Sequence, residues 1–148
     1  MTDIAKLREL LARVEVATGP DVRLDRAINA MFPDGELGSP YYTASIDAAV
    51  ALCKRVLPGW VWRVCSCCVS DDAWIAPDYN CPEHGERLKE EFPLPAERYA
   101  DPETGDMTWG PFDSGFDIDR RPPGNPASAL IEAILQAKIY IAELAEAE

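Results

Sequence analysis

The spacing of apolar residues changes at Pro58-Gly59, and this change constrains the fold of the 148-residue chain more than any other feature. Before this point, apolar residues recur every three or four positions, as on one side of a helix. After it, Trp60, Trp62 and Val64 alternate with other residues, as in a strand, and the segment 73–76 (AWIA) predicts the partner strand of a hairpin. The chain therefore combines helices with an antiparallel sheet.

Four segments have helical spacing and a residue that can cap their first turn. They are about 3–17, about 22–32 after Asp21, the segment that follows Thr43 or Ser45, and a long final segment opened by Asn125 and Pro126. Either Thr43 or Ser45 suits the cap of the third helix. Pro is favoured at the first position of a helix, which supports a start of the final helix at Pro126.

The order of these elements predicts one α+β domain over residues 1–148, with helices packed on a small antiparallel sheet in helix/sheet/helix layers and a long C-terminal helix. Residues from about 92 to 124 are rich in Pro, Gly and Asp, so we expect an irregular acidic loop region there. Within it, 98–99 and 107–109 are predicted as two short strands around a hairpin loop. Asp113, Asp117 and Asp119 are interpreted as part of a solvated loop, because no calcium-binding loop pattern is present.

The chain carries 26 acidic and 14 basic residues, a formal charge of -12. Such a charge repels phosphate backbones and anionic lipid, so we expect no direct binding of nucleic acid and no membrane association. It suits a protein partner with a basic surface, although many acidic domains are charged only for solubility. The start of the chain lacks the pattern of a secretory signal, and no apolar run approaches the ~20 residues of a membrane span. These features predict a cytoplasmic protein whose five cysteines are thiols or metal ligands.

The cysteines predict a metal site as one alternative. Cys65 and Cys68 are separated by two residues, as are Cys81 and His84, and a hairpin of twelve residues lies between the two pairs. A Cys₃His set is an ordinary tetrahedral zinc site, and four protein ligands make such a zinc structural rather than catalytic. The competing interpretation is that Cys65 and Cys67 are small buried hydrophobic residues on one face of the strand, with Cys68 and Cys81 incidental.

The sequence offers two further site hypotheses. A cysteine nucleophile served by His84, the single histidine, is the enzymatic alternative, but a base three residues from Cys81 is awkwardly placed for attack on a substrate. Trp60, Trp62 and Trp74 form either an aromatic platform or, more often in an alternating strand, part of the core. No catalytic residue and no required cofactor is therefore predicted.

The final helix carries apolar residues beyond what is needed to cover a sheet of this size, namely Ile139, Tyr140, Ile141 and Leu144. This end either packs on the core of the same domain or contacts a partner, which includes a second copy of the chain in a homodimer.

Three stretches at the starts of predicted helices carry a resemblance to a known family. They are 19–25 (GPDVRLD), 42–49 (YTASIDAA) and 124–130 (GNPASAL). Together they are similar to the phage ABA sandwich domain, found in short phage and prophage proteins. The resemblance implies a layered helix, sheet and helix domain and brings no catalytic residues. With the charge and the lack of a catalytic set, it predicts a non-enzymatic accessory protein of a bacterial host cell that binds a protein or a small ligand through its acidic surface and terminal helix.

Overall fold

The computed structural model describes residues 3–33, 40–66, 71–91, 116–120 and 125–147. Within these ranges the elements are α1 (Ile4–Val16), α2 (Val22–Met31), α3 (Ile46–Val56), β1 (Trp60–Ser66), β2 (Asp71–Pro77), α4 (Gly85–Glu91), β3 (Phe116–Arg120) and α5 (Pro126–Ala147). The predicted α+β class with a long C-terminal helix is confirmed.

The helices begin where capping residues stand in the sequence. The Asp21 carboxylate accepts the N–H groups of Arg23 and Leu24 at the start of α2. The Ser45 hydroxyl accepts the N–H of Ala48, so Ser45 rather than Thr43 caps α3. These bonds satisfy backbone donors that a first helical turn leaves without an intrahelical partner.

The sheet has the order β1-β2-β3 with both pairs antiparallel. The predicted hairpin is confirmed, with Trp60 opposite Pro77 and Ser66 opposite Asp71. Positive φ at Gly59, +86°, lets the chain turn from α3 into β1, which only glycine does without strain.

The strand β3 corrects the prediction of an irregular loop across 92–124. The backbone of Asp117 and Asp119 pairs with β2 instead of lying in a solvated loop. Phe116 and Ile118 alternate with these acids in a short period-two pattern, and Ile118 is buried in the core. The two strands predicted at 98–99 and 107–109 lie outside the described residues.

Helix α5 is the centre of the core. It contacts α1 and α3 as well as all three strands, and its buried side chains lie on every side of the helix axis. A helix that is apolar all round is one that neighbours cover on all sides. Although α5 has 22 residues, neither it nor another helix in the described ranges is apolar enough over sufficient length to cross a membrane.

Candidate functional site

The structure places two of the predicted zinc ligands together and one apart. Cys81 and His84 lie in the turn that follows β2, next to the start of β1. Cys65 lies opposite Asp72, five residues further along β1, which corresponds to about 17 Å of strand. Zinc–sulfur bonds are about 2.3 Å long, so Cys65 in this position cannot share an ion with the other two.

Cys68, the fourth predicted ligand, lies outside the described residues. Among the described ones, no three His, Cys, Asp or Glu side chains are grouped closely enough to hold a metal ion. The zinc site stays a prediction, and it requires a different position for Cys65.

His84 fixes α4 to the turn between α3 and β1. Its Nδ1 lies 3.3 Å from an Arg87 guanidinium nitrogen, and the same guanidinium donates to the carbonyl oxygen of Pro58 at 2.9 Å. A guanidinium has no acceptor, so Nδ1 accepts and the neutral ring carries its proton on Nε2. The side chain also packs on Gly59, where an added Cβ would stand 2.5 Å from the His84 Cβ.

These contacts bear on the enzymatic alternative. In the described ranges, no hydrogen bond joins Cys81 to His84, and the Nδ1 that would serve as a base accepts from Arg87. His84 therefore has a structural task here. That the protein is not an enzyme stays a prediction.

The described thiols differ in environment, and this predicts their reactivity. Burial raises the pKa of Cys53 to about 12, whereas Cys65 is exposed. Because the thiolate is the reactive form, we expect iodoacetamide at pH 8 to modify Cys65 in the folded protein and to leave Cys53 unmodified. Peptide mass spectrometry after brief labelling measures both, and labelling in urea is the control in which both thiols react. Labelling of Cys53 at the rate of Cys65 in the folded state would contradict the buried position.

The three stretches that carry the family resemblance meet in one buried polar cluster. One oxygen of Asp25 accepts both the N–H and the hydroxyl of Thr43, each at 2.8 Å. The Thr43 hydroxyl oxygen accepts the N–H of Asp21 at 2.8 Å, and the Asn125 amide donates to the Thr43 carbonyl. Thr43 and Asp25 are buried, and the polar groups of Thr43 are all engaged. The cluster therefore ties the starts of α2, α3 and α5 together and is a structural element.

A cleft of about 650 Å³ opens between α1 and α2 and reaches α5. One wall is apolar, formed by Leu10 of α1 and by the end of α2 with Ala27, Met31 and Phe32. Volumes of roughly 300–1,000 Å³ with a mainly apolar lining and a few polar groups are typical of small-molecule sites. The volume of the cleft lies in this range, and five of its ten lining residues are charged.

Lys138 brings a positive charge to this cleft from the central helix. It is partly buried, and burial lowers its pKa, because removal from water disfavours the charged amine. No hydrogen bond or ion pair of Lys138 is found within the described part of the chain. A desolvated ammonium without a counter-ion is unfavourable unless something else pairs with it.

The other charged residues of the cleft balance one another and leave the charge of Lys138 uncompensated. Lys6 and Arg13 add two positive charges, and Asp3 and Glu9 add two negative ones, so the lining carries a net charge of +1. Asp3 is within 4.0 Å of the Lys6 amine. In a chain of charge -12, this cleft is a local positive site.

Sequence reasoning missed the cleft. The available signal was Lys138 itself, the only basic residue in an otherwise mostly apolar final helix. Whether Lys138 lies in a cleft depends on how α1 and α2 pack against α5, and no local sequence pattern predicts that packing.

Comparisons with known proteins add no further constraint: no family model, no curated protein and no solved structure matches this chain. The resemblance to the phage ABA sandwich domain stays a prediction.

Proposed function

We propose that this chain is a non-enzymatic binding protein and that the cleft between α1 and α2 is its binding site for a small ligand with an apolar body. The observation that carries the proposal is a cleft that combines an apolar wall with a partly buried, unpaired amine. Apolar surface supplies most of the affinity in such sites, and a few polar groups orient the ligand.

The terminal helix supports the small-ligand form of this function over docking of a protein on its apolar end. Ile139 and Ala142 are buried, and Ile141 packs against the core, so this end of α5 is mostly used inside the domain. Lys138 is the part of the helix that faces the cleft. An accessory role in a phage or prophage, in the cytoplasm of a bacterial host, is proposed from the resemblance and the charge.

A cleft-filling substitution tests this function. Ala30 lines the cleft and is exposed, so Ala30→Trp places an indole in the opening without entering the core. We expect binding of the neutral dye N-phenylnaphthylamine, measured by its fluorescence increase, to weaken by about tenfold or more. Ala51→Trp adds the same side chain to an exposed position of α3 outside the cleft and is the matched control. Equal dye affinity of the two variants would show that the cleft is not the binding site.

A further inference from the structure

Lys138 is the feature of the cleft that restricts which ligands fit. Lys138 reaches the site from the helix that forms the core, while the other charged groups are on α1 and its N-cap Asp3. The residues that α2 and its C-cap contribute to the cleft are all apolar: Ala27, Ala30, Met31 and Phe32. A ligand that enters the cleft therefore meets an apolar wall on one side and the amine at the α5 side.

We propose that the ligand is a small amphipathic monoanion, such as an apolar carboxylate, whose head group pairs with the Lys138 amine while its apolar body lies against the end of α2. This inference rests on the proposed function of the cleft and adds the chemical class of the ligand. The head group supplies the counter-ion that Lys138 lacks in the described part of the chain.

The charge of the cleft favours one negative charge over two. The lining carries +1 in total, and Asp3 is already beside Lys6. A monoanion neutralises the net charge of +1, whereas a dianion such as a phosphate monoester would leave a net negative charge in a site that also holds Glu9. A hydrogen bond between ionised partners in a partly desolvated site is stronger than one between neutral groups, which makes Lys138 the selective contact.

Two dyes with the same ring system separate the role of the charge from that of the apolar wall. Anilinonaphthalene sulfonate is a monoanion, and N-phenylnaphthylamine has the same aromatic rings without the sulfonate. We expect Lys138→Met to weaken binding of the sulfonate dye by about tenfold and to leave binding of the neutral dye equal or tighter. Lys138→Arg, which keeps the charge, should retain most of the affinity for the sulfonate dye.

Lys54→Met is the matched control, because Lys54 is an exposed lysine of α3 outside the cleft and its loss changes the net charge by the same amount. Circular dichroism melting shows whether each variant is folded before titration. If Lys54→Met weakens the sulfonate dye as much as Lys138→Met, or if Lys138→Met weakens both dyes equally, the pairing with Lys138 is wrong.

The outcomes for this inference and for the proposed function differ. If Ala30→Trp weakens binding of both dyes and Lys138→Met has no effect, the cleft remains a binding site and the proposal of an anionic ligand is wrong. Failure of both dyes to bind the unaltered protein, or binding that Ala30→Trp leaves unchanged, would overturn both.

Discussion

Asp25→Ala is expected to lower the free energy of unfolding by about 3 kcal/mol. The substitution leaves the N–H and the hydroxyl of Thr43 without the carboxylate oxygen that accepts both. Thr43 is fully buried, so water does not replace the lost acceptor, and each buried donor without a partner costs about 1–3 kcal/mol. Urea unfolding followed by circular dichroism measures the loss, with an unchanged dependence on urea indicating that the unfolded state is unaffected.

Two further variants show whether the buried bonds cause this loss. Asp47 also stands in the first turn of its helix but is exposed, and Asp47→Ala should cost less than about 1 kcal/mol, the value of a carboxylate near a helix N-terminus. Asp25→Asn keeps an acceptor oxygen and should lose less than Asp25→Ala. Similar losses for Asp25→Ala and Asp47→Ala would mean that the cluster around Thr43 does not stabilise the fold.

The same cluster shows what a sequence pattern can and cannot predict. Asp21 and Asn125 were identifiable as caps because a cap bonds the backbone two or three residues away. Thr43 and Ser45 are equally suitable caps when only the adjacent residues are considered. In the structure, Ser45 is the cap. The partner of Thr43 is Asp25, 18 residues earlier in the chain, and a bond over that separation exists only after α2 and the start of α3 have packed.

The strands of the sheet likewise differ in whether they can be predicted from local sequence. The β1–β2 hairpin was predictable because two alternating apolar segments follow each other closely in sequence. Strand β3 is five residues long and rich in Asp, and its identity as a strand comes from pairing with β2, about forty residues earlier. The cleft could not be predicted from local sequence for the same reason, because Lys138 lies beside residues of α1 and α2 only in the packed structure.

The zinc prediction depends on register in a similar way. Spacing alone placed two ligand pairs at either end of a hairpin and assumed that the hairpin returns the second pair to the first. The register instead sets Trp60 opposite Pro77, so Cys81 and His84 return to the start of β1 while Cys65 lies near its end. Ligand spacing in a sequence therefore predicts a site only when the position of each ligand along its strand is known.

Ile134→Ala is expected to cost about 4 kcal/mol, the largest loss among the substitutions considered. Ile134 is fully buried on α5, the helix that packs against α1, α3 and all three strands. Removal of its side chain loses apolar burial and leaves a cavity around which the structure relaxes only in part. Thermal and urea unfolding measure the loss. The size of the effect follows from the central position of α5, since a helix packed on only one side would relax more easily around the cavity.

Tyr140→Ala is the comparison that separates a core helix from a dimer surface. Tyr140 lies on the same helix with 43% of its surface exposed, so its truncation should cost less than about 1.5 kcal/mol in a monomer. If α5 instead forms a homodimer through this end, the melting temperature rises with protein concentration and Tyr140→Ala removes that dependence. A loss for Tyr140→Ala as large as that for Ile134→Ala, found together with a melting temperature that rises with protein concentration, would show that the exposed end of α5 is covered by another molecule in solution. It would return the terminal helix to the candidate binding surfaces of this protein.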